Sequence, residues 1–132
     1  MSALDRLLGT WDFTMEHNAV SGPITGREGY ERVLDGAFVL QRRTYEHPDF
    51  PDAMALLSED RYHYFDVRGI IRVFDFEIDD AGWSMVMVAD EFSQRVSARF
   101  RGPDAMDSTG EASYDSGVTW QPDFTVTYQR AT

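Results

Sequence analysis

The side chains that could do chemistry in this chain are charged or hydroxyl-bearing residues set in otherwise apolar alternating runs. In "IIRVFDFEI", residues 70–78, Arg72 falls in the same row as Ile70, Phe74, Phe76 and Ile78, whereas Asp75 and Glu77 fall in the other. An apolar row of period two faces a core, so Arg72 is expected to point inward. In "AFVLQRRTYE", Phe38, Leu40 and Arg42 share one row and Ala37, Val39, Gln41, Arg43 and Tyr45 the other, so Arg42 or Arg43 must follow an apolar row. A buried guanidinium is costly unless it is paired or presented to an anion. Three arrangements meet that demand: an ion pair with an internal carboxylate such as Glu28 or Glu111, an anchor for a ligand carboxylate, or a bulged register that lets the arginines reach a rim. The candidate ligand-binding set is Arg72 and Arg42 with Tyr30, Tyr62, Tyr64, His63, Gln94 and Tyr114, groups able to orient a ligand by hydrogen bonds along an apolar wall.

Other chemistries find little support. The chain has no cysteine, which removes disulfides, thiolate metal sites and cysteine nucleophiles. Of the histidines, His17, His47 and His63, no two stand at short metal-ligand spacing, so no metal site is expected and no cofactor is assigned; haem or metal ligation by His47 in the proline loop "EHPDF" is a minor alternative. No nucleophile elbow appears, and "GPITGREG" precedes a strand rather than opening a helix, which argues against phosphate binding. Asp79-Asp80 and Asp90-Glu91 fall at turns, where solvation explains them better than general acid–base work. The formal charge of −11 repels phosphate backbones and anionic lipid heads, so neither nucleic acid nor membrane is an expected partner.

These residues need elements to hold them, and strands are what the sequence offers. Residues 10–16 alternate strictly, with Trp11, Phe13 and Met15 on one face. Ahead of them, "SALDRLL" has Ser2 as a candidate N-cap and suggests one short helical turn. Further strands are expected at 24–34, 37–45, 55–58, 62–66, 70–78, 83–89, 93–100, about 109–114 and 119–130, separated by turn signals that include Asp35-Gly36 and the irregular "EHPDFPDAM". At 132 residues there is room for one domain, 1–132, and no amphipathic helix interrupts the strands, so α/β alternation is excluded. About ten short antiparallel strands must split into a sandwich or close on themselves; closure removes edges, and a barrel that wide has room for a cavity.

Gly9-Thr10-Trp11 near one end and Arg130 near the other resemble the calycin superfamily of lipocalin-like barrels. That resemblance implies a tryptophan at the closed end with a basic residue of the last strand across its ring, a cation–π contact of about 0.5 to 2 kcal/mol. The ordered set "LLGTW", "GYERVLDGAFVLQRRTYE", "YHYFDVRGIIRVFDF", "FSQRVSARF" and "EASYDSGVTWQPDFTVTYQR" further resembles an uncharacterised bacterial family of small lipocalin-like domains. It implies an all-β, antiparallel up-and-down barrel and no particular activity. The leading expectation is a protein that binds a small apolar molecule carrying an anionic or hydrogen-bonding end. An isomerase- or cyclase-like enzyme using the same cavity is the alternative. So is a filled barrel that forms a homodimer through an outer face bearing Tyr45, Phe50 and Trp83. The opening "MSALDRLLGTW" carries no secretory signal pattern, and a cytoplasmic location is expected.

Overall fold

The computed structural model describes residues 2–132. Alternation of apolar and polar side chains is carried through ten strands: β1 (Gly9–His17), β2 (Ile24–Val33), β3 (Phe38–Tyr45), β4 (Ala53–Leu57), β5 (Arg61–Asp66), β6 (Ile71–Ile78), β7 (Gly82–Met87), β8 (Ser93–Phe100), β9 (Ala105–Ser113) and β10 (Gln121–Arg130). Each pairs antiparallel with its neighbours in sequence, and β10 returns to β1 in a register running from Trp11 opposite Arg130 to His17 opposite Phe124. The result is a closed up-and-down barrel with no open edge to template further pairing. The segment before β1 is a 3-10 turn, Ala3–Leu7, whose first turn is capped by Ser2 Oγ accepting from the Leu4 N–H at 3.2 Å.

Several boundaries differ from expectation. β9 starts at Ala105 rather than near Thr109, because its inward residues include Ser108, Gly110 and Ala112, which carry little apolar signal. β4 begins at Ala53 rather than Ala55, β7 stops at Met87 rather than Ala89, and β10 begins at Gln121, residues 118–120 completing a loop. Tyr45, Phe50 and Trp83, which the filled-barrel alternative put on an outer face, pack against the core. They belong to the inward rows of their strands or, for Phe50, to a loop folded over the barrel end.

The two ends of the barrel are built differently. The connections 34–37, 58–60, 79–81 and 101–104 gather at one end with the 3-10 turn, joined to it by Arg32–Asp5 at 2.8 Å and by Ser2 Oγ donating to Glu59 at 2.7 Å. Leu4, Leu7, Trp11, Val39, Leu57 and Met106 are all but fully buried there. Trp11 Nε1 donates to Leu7 O at 2.9 Å, and Arg130 lies 4.1 Å from the indole centroid on the other side. Arg130 also donates from Nη1 to Leu8 O at 2.5 Å and from Nη2 to Arg6 O at 3.1 Å. Gly9 makes this approach feasible: its φ is +109°, and a Cβ there would stand 2.8 Å from Arg130 Nη1. The other connections, 18–23, 46–52, 67–70, 88–92 and 114–120, ring the opposite end and leave it open.

Candidate functional site

A cavity of about 350 Å³ runs inward from the open end. That is near the lower limit for sites that enclose drug-sized molecules. Its apolar walls are Phe13, Met15, Phe74, Met85, Val96 and Val126. Room for one of these depends on Gly26, where a Cβ would fall 2.2 Å from the Phe13 ring and 2.3 Å from Thr44 O, so the ring lies where any other residue would place a side chain.

Beneath the apolar walls lies a polar floor. In β3 the buried row is Val39, Gln41 and onward, which turns Arg43 inward and Arg42 outward. Arg42, expected to line the site, instead pairs with Glu31 at 2.5 Å on the outer surface, with 61% of its side chain exposed. Strand parity decides this: one residue's shift puts a side chain on the other face. Arg43 donates from Nε to Glu28 Oε1 at 2.7 Å, with side-chain exposures of 18% and 1%. The two residues are opposite each other in the β2–β3 register. Glu28 Oε2 also accepts from Tyr30 OH at 2.8 Å and from Gln41 Nε2 at 3.3 Å, and Tyr62 OH donates to Gln41 Oε1 at 2.5 Å. The buried carboxylate is therefore satisfied on both oxygens, by Arg43, Tyr30 and Gln41, as burial of a charge requires. Burial, with a smaller contribution from Glu28, pushes the Tyr62 phenol up to about 12 and raises Tyr30 and Tyr128 strongly, so these hydroxyls stay protonated at neutral pH. Tyr30 lies below the cavity and supports Glu28 rather than lining the space.

Nearer the mouth, Arg72 lines the cavity with its guanidinium 4.8 Å from the Phe92 ring centroid and 5.9 Å from that of Tyr64. Among the described residues no carboxylate lies within ion-pair distance of it. The neighbouring Arg68 is held by Asp66 at 2.6 Å, and Tyr64 OH donates to the same carboxylate at 2.8 Å. Arg68, with help from Tyr64, holds the Asp66 carboxyl well below its ordinary range, while burial and the bond it donates raise Tyr64. Gln94 and Tyr114 line the same mouth, Tyr114 tilted against Phe92 at 5.9 Å. His63 does not line the cavity: it alternates with the inward Tyr62 and Tyr64 and stands outside, between Leu56 and Val73. Glu111, considered as an internal partner, pairs with Arg95 at 2.9 Å on the outer face.

The candidate set thus divides. Arg72, Tyr62, Tyr64, Gln94 and Tyr114 share one cavity, Tyr30 lies under it, and Arg42 and His63 are outside. Arg43, Tyr45, Trp83, Phe92 and Tyr128 were missing from it. Counting back across the β2–β3 hairpin from Asp35-Gly36 sets Glu28 opposite Arg43, a signal that would have selected the right arginine. Among the described residues no group of three or more His, Cys, Asp or Glu could hold a metal ion, and no helix is long and apolar enough to cross a membrane.

The closed ten-stranded barrel with a cavity open at one end is calycin-like in architecture. No known family's sequence profile matches the chain, and neither does any curated protein. Solved structures of similar fold exist at low sequence identity. Rv2717c from M. tuberculosis is 14% identical with a TM-score of 0.63 over 100% of this chain and 99% of its own, and a protein of unknown function from the DUF3598 family of Nostoc punctiforme is 13% identical with a TM-score of 0.63. The match covers 99% of this chain and 49% of the Nostoc protein, so the chain spans about half that protein's length. The S-type phycobiliprotein lyase CPES from Guillardia theta is 12% identical with a TM-score of 0.60, over 98% of this chain and 90% of the lyase. At such identities the likeness concerns fold.

Proposed function

We propose that the protein binds a small, largely apolar molecule bearing an anionic group, with the apolar body in the cavity and the anion at Arg72. The observation that carries this reading is the state of Arg72: a guanidinium lining the cavity near its mouth, without a carboxylate partner among the described residues, in a chain of net charge −11 whose other cavity arginines, Arg43 and Arg68, are paired. An unpaired cation beside aromatic rings is suited to a carboxylate or sulfonate whose body stacks on those rings. Binding without turnover is the simpler reading, because Glu28 and Asp66 each already hold an arginine. The closed ten-stranded barrel, with its Gly9-Thr10-Trp11 and Arg130 clasp, also supports assigning the chain to the small lipocalin-like domains its sequence resembles.

Fluorescence titration with 1-anilinonaphthalene-8-sulfonate tests it. Arg72→Gln should weaken the probe by about 10-fold, the loss of one charge-assisted hydrogen bond. Arg42→Gln, on the outer surface, should change nothing. Equal affinity in the wild type and Arg72→Gln, or no binding at all, would remove the proposal. Native mass spectrometry of freshly purified protein should also show a retained small molecule.

A second reading, association of two copies, is favoured by the outward row Met54, Phe65 and Ile71, which are cross-strand neighbours on β4, β5 and β6. Ile71 is largely exposed, with Val73 beside it on the same strand. Ile71→Glu should abolish any dimer seen by sedimentation; a monomer at all concentrations would end this reading.

A further inference from the structure

The polar floor has more donors than the protein uses. A guanidinium carries five N–H donors in a fixed plane. Arg43 gives Glu28 only its Nε hydrogen, at 2.7 Å, which leaves the Nη edge turned away from its counter-ion. Nη1 reaches Tyr45 OH at 3.2 Å and Nη2 approaches Tyr62 OH at 3.5 Å, so two Nη hydrogens have no protein acceptor among the described residues. The Tyr45 hydroxyl, which accepts from Arg43, likewise donates to nothing among them. Arg43, Tyr45, Tyr62 and Glu28 all border the cavity, so an incoming group can reach this edge.

The energetics of the pair also need explaining. An ion pair removed from water is weak evidence for stability, since a well-packed apolar pair often serves as well. Holding Arg43 by Nε alone, with Glu28 immobilised by Tyr30 and Gln41, fixes the direction of the unused edge. The local charge decides what that edge takes. Arg43 and Glu28 cancel, so a second full anion would gain little net attraction at the floor, whereas a neutral oxygen acceptor would complete the missing hydrogen bonds.

We infer that the polar side of the cavity is a second recognition subsite, formed by the Nη edge of Arg43 and the hydroxyl of Tyr45, which meets it from the mouth end of β3, for a neutral carbonyl oxygen. The inference rests on the binding reading above and narrows it. Arg72 enters the cavity from β6 and Arg43 from β3, three strands away around the barrel, so one ligand meets them at two separate points. The ligand class is therefore an oxo-acid: an anion at one end, a ketone, quinone or amide carbonyl at the other, and an apolar body between.

The test compares 6-acetyl-2-naphthoic acid with 6-ethyl-2-naphthoic acid by isothermal titration calorimetry; the two differ only in the far carbonyl. The wild type should favour the acetyl compound by about 10-fold, as expected for a hydrogen bond to a charged group. In the double variant Glu28→Gln/Arg43→Met, which removes both charges together, the ratio should fall to about one. In Arg72→Gln both compounds should weaken by the same factor, leaving the ratio intact. Should the double variant not fold, Tyr45→Phe, which removes a single hydroxyl, should lower the ratio several-fold. A wild-type ratio of one, or a ratio that survives both the double variant and Tyr45→Phe, overturns the floor subsite and leaves the anion reading standing. If neither compound binds the wild type, both readings fall.

Discussion

Replacing Arg130 by alanine should unclasp the closed end of the barrel and destabilise the fold measurably. Its guanidinium stands 4.1 Å over Trp11, and with the side chain 27% exposed that contact falls in the middle of the cation–π range, about 1 kcal/mol. The bonds to Leu8 O and Arg6 O tie the 3-10 turn across the barrel end. Charge-assisted bonds of this kind contribute about 1.5 kcal/mol each at the low end, and screening at the exposed edge lowers the pair to about 2 kcal/mol. The ion pair with Asp104 at 3.3 Å adds almost nothing, because the carboxylate is solvated. The total for Arg130→Ala is about 3 kcal/mol, or roughly 10 °C in melting temperature for a domain of this size. Arg130→Lys keeps a cation near the ring but cannot reach two carbonyls in one plane, and should lose about half as much. Urea unfolding followed by far-ultraviolet circular dichroism measures both. Placing Arg130→Ala in a Trp11→Leu background should reveal coupling of about 1 kcal/mol. A loss below about 1 kcal/mol for Arg130→Ala, or additivity with Trp11→Leu, would refute the account of the closed end given above.

Other outcomes follow from the same geometry. Gly26→Ala would drive a methyl group into Thr44 O and the Phe13 ring and should cost about 1 to 3 kcal/mol by chemical unfolding; a variant as stable as the wild type would show that the ring is free to leave. Thermal stability should fall steeply below about pH 4, where aspartates ordinarily take up a proton. Asp115 is lowered to about 2 by hydrogen bonds from the Thr119 hydroxyl and N–H and from Ser113, and Asp66 is lowered further by Arg68. A depressed carboxyl contributes stability above its unfolded value and loses it as pH falls through the folded one. Relief of the molecule's negative self-repulsion acts in the opposite sense, so a melting temperature that keeps rising from pH 4 to 2 would contradict the prediction. Phe50 packs against Tyr45, His17 and His47 in the loop over the mouth, and Phe50→Ala should speed dissociation of the anionic probe in stopped-flow measurements without changing the melting temperature appreciably.

The strands that could be read directly were those whose inward residues are large. β1 shows Trp11, Phe13 and Met15 in plain alternation. β9 was shortened because Ser108, Gly110 and Ala112 occupy its inward positions, small residues that make room for neighbours such as Phe124. Site residues followed the same logic. Arg72 sits in an unbroken apolar row and is where that row puts it, whereas Arg42 and Arg43 are adjacent and only the hairpin register separates them. His63 was grouped with the tyrosines on either side, which strand parity forbids. The hollow itself was beyond a one-dimensional reading, since its volume depends on how a ring such as Phe13 settles against Gly26, its partner on the adjacent strand.

What holds this barrel shut and what faces a guest molecule are set at opposite poles of the same cylinder. Trp11, Arg130 and the segment they clasp lie at one pole, while loops 46–52, 67–70, 88–92 and 114–120 frame the other. Lengthening, shortening or exchanging those loops would leave the anchoring contacts untouched, so the scaffold can be retargeted to new guests, by evolution or by engineering, at little expense in fold integrity.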